Sequence, residues 1–203
     1  MMEKHEAKAF REKMDFIAGA VRPTEKMALL AEELDELADA AIIFRNSIQE
    51  KRSRKGRRYT MSKEDRDEMI AEMADVMAVL ICTIHPDDMR IALEYAEMHR
   101  GETKIRTGTD LKRELNQMIA ICRIFREMAF KHRRCGSKDN PTAVPKEHID
   151  GIIGVCIPLL LGYMMDLHDE ELEAKSERML KEKIDRWYDR LMMLQGSDVN
   201  EQE

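Results

Sequence analysis

The segment PTEKMALLAEELDELADAAIIFRNSIQ, residues 23–49, predicts a long helix with one apolar side. Its apolar positions recur at helical spacing, and Thr24 is of a type that caps helices. These positions are Leu30, Leu34, Leu37, Ala41 and Phe44. Similar periodicity covers almost all of the chain. Helix-forming Glu, Lys, Leu, Met and Ala abound, while aromatic residues make up only 5%. The sequence therefore predicts an all-α helical bundle.

Seven helices are expected along the chain. Ser62 with Asp65 resembles a capping box that opens the third helix, and Pro86 suits the first position of the fourth. Between the second and third helices, Lys51–Arg58 carries six cations in eight residues and predicts a basic loop. Three interpretations of this loop stay open: a solvated surface segment, a lid that folds over a bound substrate, or a weak nucleic-acid contact. The approximate bounds are 4–17 for the first helix, 24–49 for the second, and 86–108, 110–133, 145–167 and 169–195 for the fourth to the seventh, with a frayed tail at 196–203. The third helix follows Ser62 and includes the apolar positions from Met69 to Leu80.

Bulk properties restrict the function classes. The chain has 203 residues and a net charge of -6, which gives no general reason to expect a nucleic-acid partner. None of its four cysteines belongs to a CxxC pair, so we expect reduced thiols and a cytoplasmic protein. The charged N-terminus is unlike a signal peptide. The longest apolar run, Ile152–Met165, is short for a bilayer span and contains Pro158, so we interpret it as a buried helix.

The second half of the chain resembles the first. At a shift of 81, residues 31–45 fall on 112–126, and the matched pairs are Glu33 with Glu114, Leu34 with Leu115, Ile43 with Ile124, Phe44 with Phe125, and Arg45 with Arg126. We therefore predict two helical half-modules, residues 1–108 and 109–203, that pack as a pseudo-dimer within one chain. The repeat suggests one active half and one degenerate half.

The second half loses most of the acidic residues of the first. Glu32 and Glu36 fall on Arg113 and Gln117. For the next helix two registers remain open. One matches Lys63-Glu64 with Lys146-Glu147 and places Val155 and Pro158 at the positions of Glu72 and Asp75. The other matches Lys104-Ile105 with Lys183-Ile184 and places Gly151 and Gly154 there.

Four carboxylates interrupt apolar helix faces in the first half. Glu33 and Glu36 lie three residues apart, as do Glu72 and Asp75, so each pair lies on one side of its helix. Carboxylates that point into a bundle are costly unless cations compensate them, and four that converge suit a hard divalent cation. If only one of these pairs were present, a solvated acidic helix face would be a sufficient explanation. A second pair on the next helix, together with the loss of that pair in the second half, favours a metal site.

The two patterns, Glu32-Glu33-Leu34-Asp35-Glu36 and Glu72-Met73-Ala74-Asp75, resemble the EExxE and ExxD motifs of the all-α nucleotide pyrophosphohydrolases. This superfamily includes MazG, the dimeric dUTPases and phosphoribosyl-ATP pyrophosphohydrolase. The resemblance covers residues 23–108, although the interval between the motifs is longer than usual in the family. It implies that Glu33, Glu36, Glu72 and Asp75 hold Mg²⁺, with Mn²⁺ as a substitute, and that Glu32 positions or deprotonates a water.

The same resemblance implies the reaction. We expect a Mg²⁺-dependent hydrolase that converts a nucleoside triphosphate to the monophosphate and pyrophosphate, in housecleaning or nucleotide-pool control. Arg100, Lys104 and Arg106 are candidates to contact the substrate phosphates, or are helix C-terminal cations. The expected partner is the nucleotide, with no membrane, and pairing into a homodimer is left open. Two alternatives remain: a hydrolase of a related phosphorylated compound, and a non-catalytic helical interaction protein.

Overall fold

The computed structural model describes residues 4–53, 56–99, 105, 107–134, 146–167 and 170–200. Within these ranges the chain forms seven helices and one small hairpin, which confirms the predicted all-α bundle. The elements are α1 (Lys4–Ala20), α2 (Pro23–Ser47), β1 (Gln49–Ser53), β2 (Gly56–Thr60), α3 (Lys63–Thr83), α4 (Pro86–His99), α5 (Gly108–Arg134), α6 (Lys146–Asp166) and α7 (Glu170–Asn200).

Helix starts follow local capping chemistry. Ser62 precedes α3, and its hydroxyl oxygen accepts a hydrogen bond from the backbone N–H of Asp65 at 3.1 Å, as predicted. The prediction that Thr24 caps α2 is wrong. Arg22 is the cap residue, because Pro23 is already suited to the first helical position. The carboxylate of Glu25 accepts from the Arg22 backbone N–H at 3.3 Å.

Four predicted helix ends also differ from the structure. α1 continues through Gly19 to Ala20, where the sequence predicted an end near Ile17. The described part of α4 is Pro86–His99, and Ile105 is not helical, whereas the sequence predicted an end near Gly108. α7 continues to Asn200, through the first part of the tail that was predicted to fray. α2 ends at Ser47, because the chain turns into β1 at Gln49.

The basic segment forms a hairpin, so the prediction of a loop is wrong for its backbone. β1 and β2 pair antiparallel from Gln49 with Thr60 to Ser53 with Gly56. The base of the hairpin is attached to the start of α5, since the Glu50 carboxylate accepts from the N–H and hydroxyl of Thr109 at 2.9 and 2.8 Å. The side chains of residues 51–58, which carry the cations, lie outside the described residues.

The main core lies between α2, α3, α5 and α6. α2 packs against α3 and α5, and α5 packs against α6. All five predicted core positions of α2 are buried, with Leu34, Leu37 and Ala41 at 0% exposure. A smaller cluster joins α1, α3 and α7 through Ile17, Ala78, Cys82 and Ile184. The periodicity of the sequence thus identified the apolar sides of the central helices.

The helix pairings are related between the two halves. α2 packs on α3 as α5 packs on α6, and α3 packs on α7 as α6 packs on α4. Two polar contacts across the α2–α5 interface follow the 81-residue shift: Arg45 donates to Asn116 at 2.6 Å, and Arg126 lies 3.3 Å from Asp35. α3 and α6 both span 21 residues and begin at a Lys-Glu pair, which favours the register that matches Val155 with Glu72. The division into two half-modules stays a prediction.

α6 carries the apolar run noted in the sequence. Within the described residues, its segment Glu147–Met165 has the length and composition of a membrane span, and 39% of that segment is buried inside the protein. Its length therefore does not exclude a span, contrary to the sequence argument. One side of α6 is in the core, where Leu160 and Leu161 are buried against neighbouring helices, as expected for a core helix.

Candidate metal centre

Three of the four predicted metal ligands meet where α2 packs on α3. Glu33, Glu72 and Asp75 each offer one carboxylate oxygen, and these oxygens lie within 4.8 Å of one another. All three side chains are half-buried. Oxygen ligands at this spacing suit Mg²⁺ or Mn²⁺. The arrangement follows from the periodicity of the two helices, which places Glu33 beside the apolar side of α2, and Glu72 and Asp75 one turn apart on α3.

The carboxylates of this centre are poorly satisfied by the protein. Glu33 Oε2 and Glu72 Oε2 are buried and accept no hydrogen bond from the residues that the structure describes. A buried acceptor without a partner is costly. A divalent cation would supply the missing interaction, so the donor set fits a metal ion of the predicted kind.

Burial and neighbouring negative charges disfavour ionisation of Glu72 and Glu33. Burial, followed by the charges of Asp75, Glu36 and Glu33, raises the pKa of Glu72 to about 7. Burial also raises the pKa of Glu33, against the opposing effect of the nearby Lys183. Such shifts are typical of functional carboxylate clusters, where an added cation restores the ionised form.

Lys183 is the cation that the structure adds to this cluster. Its ammonium group, on α7, donates a hydrogen bond to Asp75 and lies 3.7 Å from Glu33 Oε1. One ammonium does not balance three carboxylates, and no contact to Glu72 is formed by it. A helix of the second half thus covers the acidic centre of the first half.

Glu36 and Glu32 lie at the edge of the centre. Both side chains are exposed, and Glu36 is outside the group of three oxygens. The Glu36 charge still contributes to the raised pKa of Glu72 and of Glu33. The structure therefore brings Glu33, Glu72 and Asp75 together and leaves Glu36 and Glu32 accessible to solvent beside them. The roles of all five residues stay predictions.

The predicted substrate contacts cannot be placed. Arg100, Lys104 and Arg106 lie outside the described residues. A different cationic surface lies next to the centre, in a cleft of about 320 Å³ that shares Glu33 and Lys183 with it. The other residues that line this cleft are Leu29, Val79, Arg186, Trp187 and Arg190.

Sequence reasoning did not identify Lys183, Arg186 and Arg190 as functional. Their spacing of three and then four residues places them on one side of α7, which is a detectable signal. α7 has many charged residues, however, so this spacing does not stand out. One register of the repeat matched Lys183 with Lys104, which was itself a predicted phosphate contact. That match served to align the two halves, and no role for Lys183 was predicted from it.

The positions that the predicted repeat matches with the acidic centre are ion-paired or apolar in the second half. Glu114, the counterpart of Glu33, is 1% exposed and ion-pairs with the adjacent Arg113 at 3.2 Å. In the register favoured by the helix bounds, Val155 and Pro158 replace Glu72 and Asp75, and both line an apolar cleft on α6. In this register the second half keeps a carboxylate at the position of Glu33 but has none at the positions of Glu72 and Asp75.

No family model, curated protein or solved structure matches this chain. The resemblance to the all-α pyrophosphohydrolases therefore depends on the two acidic motifs and stays a prediction.

Proposed function

We propose that the chain is a Mg²⁺-dependent nucleoside triphosphate pyrophosphohydrolase of the all-α type, acting in the cytoplasm on the nucleotide pool. The observation that supports this most is the convergence of Glu33 with Glu72 and Asp75. These residues come from the two acidic motifs, which lie on different helices. Two of their oxygens are buried without a partner among the described residues, as is expected for ligands of an added cation.

The proposed roles follow from position. Glu33, Glu72 and Asp75 would hold the ion, and Glu36 would complete the ligand set from the solvent side. When bound, Mg²⁺ neutralises phosphate charge and lowers the pKa of a water molecule. Glu32, exposed beside Glu33, would orient or deprotonate the attacking water.

Lys183 would add positive charge beside the leaving pyrophosphate. Its ammonium already lies at the edge of the centre, in contact with Glu33 and Asp75. Because α7 belongs to the second half, residues 109–203 would complete the site of residues 1–108. This is the role that the partner subunit would have in a dimer of single modules, and it explains why one half can lose its carboxylates.

A nucleotide panel with separate detection of pyrophosphate and orthophosphate tests the proposal. With Mg²⁺ present, we expect pyrophosphate release from at least one nucleoside triphosphate. Asp75→Asn should lower that rate by about a hundredfold or more, the scale for loss of a key electrostatic group. Asp39→Asn, which neutralises an exposed carboxylate on α2, is the matched control and should retain the rate. Full activity of Asp75→Asn would refute the site, and release of orthophosphate alone would favour a hydrolase of a related compound.

One observation favours a second candidate, the non-catalytic helical interaction protein. Lys183 already pairs with two of the three carboxylates, so the centre is partly compensated without a metal. If that compensation is the whole role of the cluster, millimolar Mg²⁺ or Mn²⁺ will not raise the melting temperature. A specific metal site would raise it, because a ligand that binds only the folded state stabilises that state.

A further inference from the structure

The cleft beside the acidic centre combines cationic and apolar surfaces. Lys183, Arg186 and Arg190 contribute its positive charges, and Leu29 and Val79 contribute aliphatic surface. Its volume of about 320 Å³ is at the lower end for small-molecule sites, which suits part of a nucleotide. Because Glu33 lines both features, a ligand in the cleft would extend directly to the proposed metal ion.

α7 presents these groups on one side. Lys183, Arg186 and Arg190 follow one another at spacings of three and four residues, and Trp187 lies four residues after Lys183, so all four share one side of the helix. A rigid helix therefore holds three cations and one aromatic ring in a row that begins at the acidic centre. Phosphate groups that lead away from a metal ion require positive charge along such a line.

The arginines of the cleft differ from the other cations of α7. Within the described residues, Lys175, Arg178 and Lys181 form ion pairs with Asp67, Glu182 and Glu6. Arg186 donates only to the backbone oxygen of Glu182, at 3.4 Å, and no described residue forms an ion pair with Arg190. Among the arginines of α7, the two that pair with no carboxylate of the described residues are thus the two that line the cleft. They are exposed and available to an anion.

Trp187 provides the surface for the uncharged part of the ligand. Its ring is half-buried and packs against the core, so its position is fixed. With Leu29 and Val79 it forms an apolar wall opposite solvent. A planar base beside this wall would bury apolar surface and gain a ring contact.

On the basis of the proposed function, we propose that α7 is the nucleotide-recognition helix of this centre. Arg186 and Arg190 bind the phosphate groups of a nucleoside triphosphate, and Trp187 contacts its base. The specificity surface for the active half therefore lies on the half that has lost its own carboxylates.

Trp187 is the only tryptophan of the chain, so its fluorescence reports on the cleft directly. We would titrate the full chain with an α,β-methylene nucleoside triphosphate in Mg²⁺, and separately with inorganic tripolyphosphate. We expect saturable quenching, with Kd raised on the order of tenfold or more for each arginine removed in Arg186→Gln and Arg190→Gln. Arg178→Gln is the matched control on the same helix and should change Kd less than about twofold.

The outcomes separate this inference from the proposed function. One outcome is that the wild-type chain hydrolyses triphosphates but the double variant, Arg186→Gln with Arg190→Gln, binds the nucleotide with the same Kd as the wild type. The proposed function then stands, and α7 is not the recognition helix. If quenching is lost in the double variant but no triphosphate is hydrolysed, α7 binds nucleotides and the proposed reaction is wrong. No quenching in the wild type overturns the inference whatever the hydrolysis assay shows. A nucleotide that binds no more tightly than tripolyphosphate removes Trp187 from the site.

Discussion

The helix pairs α2–α3 and α5–α6 pack in a similar way but differ in their acidic residues. At the positions that the predicted repeat matches, α2–α3 holds a cluster of three carboxylates, whereas α5–α6 holds a single carboxylate that is ion-paired. In the first pair, Glu33 shares a half-buried cluster with Glu72 and Asp75, and one of its oxygens accepts no hydrogen bond from the part of the chain that the structure describes. In the second pair, Glu114 is nearly fully buried and has its own arginine beside it. The comparison shows that a carboxylate at this helix position is compatible with the fold, provided that a cation compensates it.

The covering helices differ as well. α7 has 31 residues and brings Lys183 to the cluster on α3. The described residues of α4, Pro86–His99, pack on α6, and Val155 on α6 remains 59% exposed. α7 therefore brings a cation to the acidic centre, while the position on α6 that the favoured register matches with Glu72 stays open to solvent.

The comparison is tested most strongly at the matched positions Glu33 and Glu114. In a triphosphatase assay with Mg²⁺, we expect Glu33→Gln to lower turnover by about a hundredfold or more, because a proposed metal ligand is lost. Glu114→Gln should retain turnover, since its carboxylate serves only the Arg113 pair. Circular dichroism checks that both variants are helical. Equal loss of turnover in the two variants would contradict the proposal that only the first half supplies the carboxylates of the active site.

A smaller effect is expected from Lys183. Lys183→Met removes the ammonium that compensates Glu33 and Asp75, so we expect chemical denaturation without metal to show a loss of about 1–3 kcal/mol. Mn²⁺ should then raise the melting temperature more than in the wild type, because the ion replaces the missing charge.

Lys175→Met provides a matched control for this change. Lys175 lies on α7, contacts Asp67 of α3 at 2.7 Å and, like Lys183, has a side chain that is 27% exposed. Its pair is separate from the centre, so the Mn²⁺ effect should equal that of the wild type. The same gain in both lysine variants would mean that Mn²⁺ acts outside the acidic centre.

The sequence predicted the fold where a signal is local. Ser62 and Pro86 begin helices through their own capping chemistry, and the period of the apolar residues identified the buried side of α2. The hairpin was missed because its basic strands lack alternating apolar residues. They are held by backbone pairing and by the contact between Glu50 and Thr109, 59 positions later in the chain.

The same distinction applies to the candidate site. Spacing correctly placed Glu72 and Asp75 on one side of α3, but a step of three residues rotates a helix position by about 60° from its start. That rotation is enough to leave Glu36 exposed while Glu33 is half-buried. Lys183 meets Asp75 from a helix 108 positions away, so only the packing of α7 on α3 reveals the contact.

A pH dependence of stability is also expected without metal. Burial and neighbouring charges raise the pKa of Glu72 from 4.5 to about 7, so the folded chain holds a proton that the unfolded chain has released between these values. The free energy of unfolding should therefore fall as pH rises from about 4.5 to 7, with a slope below the limit of about 1.4 kcal/mol per pH unit for one proton. Urea denaturation in the presence of a chelator across this pH range measures the slope.

Glu72→Gln should flatten the pH profile, whereas Asp39→Asn should leave it unchanged. If the Glu72→Gln variant keeps the slope of the wild type, another group titrates in this range. The pH profile would then give no support to an uncompensated acidic cluster in the first half.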